Sequence, residues 1–368
     1  MIESYYISFY MVINIGSLLG GIIIPIVAQS NVTAAYFIPV AALSLGVAAF
    51  CFGSSRYVKE PPKKDALFKT LKILGSTALC KPIEKSKKSN GGNVSDGFVD
   101  GVKQLLAVIP ISALLVPFNI AYNQMTTVFI VQGNAMQPAG FFDAAMMNNF
   151  DCISVLLFGA LIGSVLYPYL LRKGITIPLT YKFAIGTGFG ALSILCAIFV
   201  DYGIHSAADA GHRISVFFQI FSYMFIGIGE IFAIATVYEA TFVVAPKEQK
   251  GLASAINLFF LGGIPNFICV ALYNACNSWF PENSDSLQEY QQSKLYDYLW
   301  VLFGIEVLGI LINVTPFVRN WVERIVATAK ENNLRLSEEQ ASEGKDLEGS
   351  ISEETSDSLV EEENDENL

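Results

Sequence analysis

Residues 6–28 read YISFYMVINIGSLLGGIIIPIVA, a run of 23 residues without an acidic or basic side chain. A helix that crosses the hydrocarbon core of a bilayer needs about 20 largely apolar residues. Within lipid the backbone must satisfy its own hydrogen bonds, which only helices and closed barrels achieve. The run therefore predicts a membrane-spanning helix.

The rest of the chain has the same character. Its 368 residues are 53% hydrophobic and 15% charged, whereas soluble domains carry about 25% charged residues. Eight segments are long and apolar enough to span a bilayer, so the predicted fold class is an all-α membrane protein. They cover residues 6–28, 36–53, 104–131, 151–171, 181–200, 215–245, 252–273 and 296–317.

Basic residues are distributed unevenly among the predicted loops. Eleven lie between the second and third spans, and two or more follow each of the fourth, sixth and eighth spans, whereas the alternate loops hold Arg213 and Lys294. Lysine and arginine are enriched in cytoplasmic loops, so both termini and the long basic loop are predicted to be cytoplasmic. An even number of spans also requires both termini on one side.

Two polar segments interrupt this pattern and suggest four units. Residues 1–56 hold the first two spans, 57–101 a cytoplasmic linker, 102–331 a six-helix bundle and 332–368 a disordered acidic tail. From Glu331 onward there are 14 acidic and 2 basic residues, so the formal charge of −10 belongs to the tail. Residues 65–79 have helical spacing, which leaves an amphipathic surface helix and a solvated connector as alternatives.

Ionisable side chains inside spans are costly and are treated as functional candidates. Here they are Asp151, Lys182, Glu230, Glu239 and Glu306. Glu230 and Glu239 lie nine residues apart, which is about 900° of rotation and about 13 Å of rise. They therefore point to opposite sides of one helix, and at most one faces a given cavity. Glu306 is interpreted as a packing residue.

The third span is rich in hydrogen-bonding side chains, which need partners inside the protein. They either form the wall of a polar cavity or pack between helices. They are Asn119, Tyr122, Asn123, Gln124, Thr126 and Thr127.

Enzyme and metal chemistry find no support in the sequence. The six cysteines form no CxxC pair, and His205 and His212 are both predicted to lie in an outer loop, away from any nucleophile in the bilayer. We expect no enzyme activity, no metal, no cofactor other than protons, and no nucleic-acid partner. The run GTGFG at residues 186–190 is interpreted as helix packing rather than a nucleotide loop, because no strand precedes it.

Several segments resemble the proton-dependent oligopeptide transporters (the peptide and nitrate/peptide transporter family), a branch of the major facilitator superfamily. Residues 9–18, FYMVINIGSL, match the family signature FYxxINxGSL of helix 5. The sixth span is similar to the helix 10 pattern GE…LE…AP. The motif residues are Gly229-Glu230, Glu239 and Ala245-Pro246 in the sixth span, Tyr167-Pro168 in the fourth, and 122–127 with Gln132-Gly133 in the third.

The resemblance implies that the eight spans are helices 5–12 of a twelve-helix major-facilitator bundle. It implies that Asn14 lines the substrate site, that Glu239 holds the substrate amino group and is the proton-coupling candidate, and that Asp151 stands where a helix 8 asparagine contacts substrate. Phe118 stands at an aromatic position of the helix 7 wall. The predicted substrate-binding set is Asn14, Phe118, Tyr122, Asn123, Gln124, Asp151 and Glu239, and Glu230 is interpreted as structural.

The chain departs from the family pattern in ways that bear on function. The ExxER motif of helix 1 and the lysine of helix 4 have no counterpart, so the sequence is expected to be a truncated piece that cannot complete a transport cycle alone. The helix 7 carboxylate and the helix 11 tryptophan are also missing. The expected function is proton-coupled symport of di- or tripeptides or related nitrogenous solutes, in a plasma or vacuolar membrane. A transport-inactive sensor and a nitrate or other anion carrier are the alternatives.

Overall fold

The computed structural model describes residues 2–57, 66–78, 82–140, 142–246 and 249–335, and these are almost entirely helical. The predicted tail from residue 336 onward lies outside the described residues. The helices, in chain order, are α1 Ile2–Ser30, α2 Val32–Gly53, α3 Ala66–Ala78, α4 Asp96–Leu106, α5 Val108–Ala113, α6 Val116–Asn123, α7 Val128–Asn134, α8 Asn149–Leu161, α9 Tyr167–Arg172, α10 Leu179–Asp209, α11 Ile220–Val244, α12 Lys250–Leu258, α13 Ile264–Ala275, α14 Leu287–Gln292, α15 Leu295–Val314 and α16, residues 316–335.

Seven helical segments of the described chain are long and apolar enough to cross a membrane, and a bent pair makes an eighth. The prediction of an all-α membrane protein is confirmed. The third predicted span differs from a simple helix, because Asp96–Ala113 and Val116–Asn134 meet at 52°. Pro117 explains the break, since it has no backbone N–H to donate to the preceding turn. Asn313 of α15 donates from Nδ2 to the Leu114 carbonyl at the break, over 3.2 Å.

Two further spans widen locally into π-helical turns, at Ile162–Leu166 before α9 and at Phe259–Gly263 before α13. Each precedes a proline at the start of the next helical piece, Pro168 or Pro265. A proline leaves a carbonyl of the preceding turn without its usual donor, and a wider turn accommodates this. The spans of α8–α9 and α12–α13 are therefore continuous but irregular.

Glycines let the two most buried helices, α10 and α11, approach closely. A Cβ added to Gly186 would lie 2.9 Å from the Gly229 carbonyl oxygen, and a Cβ added to Gly229 would lie 2.9 Å from the Gly186 carbonyl oxygen. The ring of Phe118 fills the remaining space over Gly229. The glycine-rich run at 186–190 thus packs helices, as its position in a span predicts.

The segment between the second and third spans is partly folded. Residues 66–78 form α3, which corresponds to the amphipathic helix at 65–79, although its two end residues lie outside the described chain. Ile73 packs with Val99 and Val102 of α4 in a small apolar cluster. Lys87 pairs with Asp100 at 2.8 Å and with Glu84 at 3.1 Å.

The domain limits given by composition remain predictions, but two helices cross them. Helix α4 begins at Asp96, inside the predicted linker, and α16 continues to residue 335, past the predicted end of the bundle. Because these residues are polar, composition does not show that the helices continue through them.

Ile73→Ala should open the apolar cluster of Ile73, Val99 and Val102 and expose the connector to protease. Burying an isoleucine contributes about 2–5 kcal/mol relative to alanine, so trypsin should cut at Lys85, Lys87 or Lys88 at least about tenfold faster. Leu71→Ala is the matched control, because Leu71 lies on the same helix but is 53% exposed, whereas Ile73 is 2% exposed. Equal cleavage rates in the two variants would contradict the packing described here.

Candidate functional site

A buried carboxylate lies where four helices meet. Glu230 of α11 is 3% exposed, and its Oε2 accepts a hydrogen bond of 2.7 Å from the Tyr10 hydroxyl of α1. Tyr122 of α6 lies close enough to interact electrostatically with the same carboxylate. A carboxylate in a membrane span is thus held by the Tyr10 hydroxyl, with a second tyrosine nearby.

The glycines of α11 bring a second carboxyl group into the same region. A Cβ added to Gly227 would lie 2.6 Å from the backbone oxygen of Asp151 and 2.9 Å from its Oδ1. Asp151 of α8 therefore lies against α11 one turn before Glu230, close enough for the two carboxyl groups to interact electrostatically. We call Tyr10, Tyr122, Asp151 and Glu230 the carboxylate cluster.

The cluster is short of positive charge. Asp151 is buried, and its Oδ1 has no hydrogen-bond donor within the described part of the chain. The hydrogen-bond donor to Glu230 is the neutral hydroxyl of Tyr10. Charged carboxylates in an apolar interior are costly without a cation or a proton. The cluster therefore has the chemistry to bind a proton or a cationic group.

Two polar contacts involve helix α1 here, one within the helix and one that joins it to α8. Asn14 is buried and donates from Nδ2 to the Tyr10 carbonyl one turn earlier, over 3.0 Å. Asn149 at the start of α8 donates from Nδ2 to the Gly21 carbonyl over 3.0 Å. Asn14 thus lies next to the cluster, one turn from Tyr10, and the absence of a side chain at Gly21 leaves room for Asn149.

Glu239 lies about two and a half turns along α11 from Glu230, and it borders a small cavity that Tyr10 of the cluster also lines. It lines a cavity of about 60 Å³ together with Lys182 and Thr236. The Lys182 ammonium also lies 5.1 Å from the centre of the Tyr167 ring. A bulk water occupies about 30 Å³ and drug-sized ligands need about 300 Å³ or more, so this cavity is too small for a dipeptide in the conformation described.

Two of the remaining predicted residues line a different, larger cavity. Asn123 and Gln124 border a space of about 430 Å³ between α6–α7 and α13. Gln124 is buried and donates to the Ile120 carbonyl over 2.7 Å, while the Asn123 amide nitrogen is buried without an acceptor among the described residues. Both readings of the polar third span therefore apply: its side chains form a cavity wall and also pack.

Phe118 and Glu306 are both fully buried beside Gly190 of α10. Phe118 has no exposed surface and contacts the α10–α11 crossing at Gly190 and Gly229. Glu306 is equally buried, its Oε2 would lie 2.9 Å from a Cβ at Gly190, and neither of its oxygens has a hydrogen-bond partner among the described residues. The packing role of Glu306 and the place of Phe118 on the wall of the substrate site both stay predictions.

The structure brings together Tyr122, Asp151 and Asn14 from the predicted set and adds Tyr10 and Glu230. The resemblance to the family motif led to the interpretation of Glu230 as structural, and helical spacing does not show which of Glu230 and Glu239 faces other helices. One signal was available: Tyr10 is four residues before Asn14 and therefore on the same face of α1. Among the described residues, no three His, Cys, Asp or Glu side chains are grouped to hold a metal ion.

Comparisons of the sequence with known proteins all match this chain to one family of transporters. The family model PTR2, described as the POT family, matches residues 1–285. "Peptide transporter PTR2" of Saccharomyces cerevisiae is 25% identical over 70% of this chain and 45% of its own length. "Protein NRT1/ PTR FAMILY 8.3" of Arabidopsis thaliana is 26% identical over 84% of this chain and 64% of its own length.

Solved structures share the fold. The "in meso crystal structure of the POT family transporter PepTSo" superposes with a TM-score of 0.63 at 21% identity, covering 87% of this chain and 70% of that one. A structure titled "auto inhibited POT family peptide transporter" gives a TM-score of 0.59 at 21% identity over 88% of this chain and 70% of that one. The chain spans about half the length of the first curated relatives it matches, 45% and 44%.

Proposed function

Because this chain belongs to the POT family of multi-pass membrane transporters, we propose that the protein is a proton-driven symporter of small peptides. Transport would proceed by alternating access, in which two helical halves rock about a central site. In this proposal α1 and α2 belong to one half, and the helices from α4 onward form the other half. The basic connector and both ends of the chain are cytoplasmic, in a plasma or vacuolar membrane.

The hydrogen bond from Tyr10 to Glu230 supports the proposal most directly. It joins residues 220 positions apart and crosses the interface between the two proposed halves. Rocking of α1 away from α11 would break this bond and leave a carboxylate facing the opening. The Tyr10 hydroxyl therefore occupies the donor position that a substrate ammonium group would take.

The charge of the cluster favours a particular substrate class. Glu230 and Asp151 would attract the ammonium group of a peptide and repel nitrate, since like charges in a poorly solvated site disfavour each other. Ammonium-to-carboxylate hydrogen bonds are also stronger than bonds between neutral groups. We therefore favour a zwitterionic or cationic nitrogenous substrate over an inorganic anion, although the chain also resembles plant NRT1/PTR proteins.

Proton coupling would use the same carboxylates. In the loaded carrier, ionised Glu230 would bind the substrate amine while Asp151, one turn away, holds the co-transported proton. Transfer of that proton from Asp151 to Glu230 on the cytoplasmic side would remove the ionic attraction and release the amine, after which the proton leaves to the cytoplasm. The assignment of both roles to Glu239 stays a prediction, and the hydrogen bond from Tyr10 across the two halves is what makes Glu230 the stronger candidate.

Uptake into proteoliposomes tests the proposal. The chain, and a version extended at its N-terminus by the first helices of a POT family relative, would be reconstituted with an inward pH gradient and given a labelled dipeptide or labelled nitrate. Dipeptide accumulation that a proton ionophore abolishes is the expected result for the extended version. Nitrate accumulation without peptide uptake would contradict the substrate class, and peptide binding without accumulation in either version would favour a sensor.

A further inference from the structure

The turn between the fourth and fifth membrane spans has a fixed backbone geometry. Residues 173–178 join α9 to α10, and Gly174 adopts a left-handed conformation with a φ of +69°. The Ile175 N–H donates to the Leu170 carbonyl over 2.9 Å, and the Gly174 N–H donates to the Leu171 carbonyl over 3.0 Å. These two bonds form the Schellman motif, which ends a helix sharply. Because the turn joins two candidate spans, it holds the last residues of α9 at a boundary of the membrane.

Three basic side chains lie at this turn, and two of them are placed over tyrosine rings. The Lys173 ammonium lies 4.9 Å from the centre of the Tyr169 ring. The Lys182 ammonium, from the first turn of α10, lies 5.1 Å from the centre of the Tyr167 ring. Both distances are within the usual cation–π limit of about 6 Å. The third basic residue, Arg172, precedes Lys173 in the chain, and we call Arg172, Lys173 and Lys182 the basic turn.

Among the described residues, no acidic side chain pairs with the basic turn. No carboxylate oxygen in that part of the chain lies within 4 Å of Arg172, Lys173 or Lys182. The connector differs, because Lys87 there pairs with Asp100 at 2.8 Å. Charged side chains at the edge of a span need water or an opposite charge. The basic turn therefore has positive charge available for an anion from outside the chain.

Exposed apolar side chains adjoin the basic turn. Leu171 is 65% exposed and Ile175 is 49% exposed. At the end of a membrane span such side chains contact acyl chains, whereas lysine and arginine extend toward the polar headgroups. The turn therefore presents an apolar part and a cationic part side by side, which matches the acyl chains and the phosphate of a phospholipid.

The start of α10 adds a further feature that favours an anion. The residue before the helix is Pro178, and no side chain of the described chain caps the first turn. Helix N-termini carry a partial positive charge from backbone N–H groups that lack partners within the helix. Basic residues at the end of a span also set membrane orientation, but that role requires neither the tyrosine contacts nor an uncapped helix beside them.

We propose that the basic turn binds the headgroup of an anionic phospholipid. Arg172, Lys173 and Lys182 would contact its phosphate, and Leu171 and Ile175 would contact its acyl chains. A free phosphate would lack the apolar contacts. Anionic lipids are concentrated in the cytoplasmic leaflet, which is the side where the proposed orientation places this turn. The site shares no residue with the carboxylate cluster, and the proposal does not depend on peptide transport.

Native mass spectrometry of the full chain in detergent tests the proposal. The protein would be titrated with dioleoyl phosphatidylserine or dioleoyl phosphatidylcholine, and the bound lipids would be counted. A basic residue near a membrane surface contributes about fivefold to the affinity for anionic lipid, so phosphatidylserine should bind about a hundredfold more tightly than phosphatidylcholine. Arg172→Gln with Lys173→Gln should lower phosphatidylserine affinity about 25-fold and leave phosphatidylcholine binding unchanged. Lys182 is kept in this variant because it also borders the cavity of Glu239.

Two control variants make the result specific to this turn. Lys85→Gln with Lys88→Gln removes the same charge from exposed positions in the connector, and phosphatidylserine affinity should stay within about twofold of the wild type. Arg172→Lys with Lys173→Arg keeps both charges and should also keep the affinity. Equal binding of the two lipids, an equal loss of affinity in the Lys85 and Lys88 variant, or full competition by inorganic phosphate at the concentration of the lipid would each overturn the proposal.

Discussion

Glu230→Gln should abolish peptide accumulation and weaken binding of a labelled dipeptide by roughly tenfold to a hundredfold, the range expected when a hydrogen bond to a charged group loses its charge. The side chains are nearly equal in size, and a glutamine Oε1 can still accept from the Tyr10 hydroxyl. The variant therefore removes the charge while leaving the contact across the two halves. Binding would be measured by scintillation proximity on purified protein, and accumulation in proteoliposomes.

Glu239→Gln distinguishes the role of Glu239 from that of Glu230, the other carboxylate of α11. The small cavity between Glu239 and Lys182 leads us to expect a smaller effect on dipeptide affinity than in Glu230→Gln. Thermal stability of both variants must match the wild type for the comparison to hold. If Glu239→Gln loses affinity and Glu230→Gln keeps it, the assignment made from motif resemblance is right and the carboxylate cluster is structural.

The sequence predicts the membrane character and the helices of this protein well because the bilayer imposes length and polarity on each span independently. The span at 6–28 needs no knowledge of its neighbours. Tertiary contacts within polar segments are harder to predict from the sequence. The connector has the composition of a linker, yet Ile73 packs against Val99 and Val102, which lie more than twenty residues later in the chain. No local pattern shows that these apolar residues meet.

The candidate site shows the same limit. Helical periodicity places Tyr10 and Asn14 on one face of α1 and separates Glu230 from Glu239. It does not say which of the two carboxylates faces α1, because that depends on the crossing of α11 with α8, set by Gly227. The break at Pro117 likewise depends on Asn313, almost 200 residues later, to satisfy the exposed carbonyl. Contacts of this kind join residues far apart in the chain, so they leave no periodic pattern in the sequence.

Gly186→Leu should prevent the chain from folding stably. A Cβ at this position would lie 2.8 Å from the Ala233 Cβ and 2.9 Å from the Gly229 carbonyl oxygen, and the latter is a backbone atom that cannot rotate away. Overpacking a helix interface costs about 1–3 kcal/mol and occasionally more. A leucine at a direct backbone crossing should reach the upper part of this range or exceed it.

Gly188→Leu is the control that makes this prediction specific. Gly188 lies two residues along the same helix, in the same glycine-rich run, and has nothing within 4 Å of an added Cβ. Both substitutions replace a glycine by a good helix former in a span, so they differ mainly in the space around the side chain. Size-exclusion chromatography of fluorescently tagged protein should show a folded peak for Gly188→Leu and aggregated or absent protein for Gly186→Leu. If both variants gave folded peaks with equal thermal stability, α10 and α11 would not cross at Gly186 and Gly229, and the position of Phe118 over that crossing would have to be revised with it.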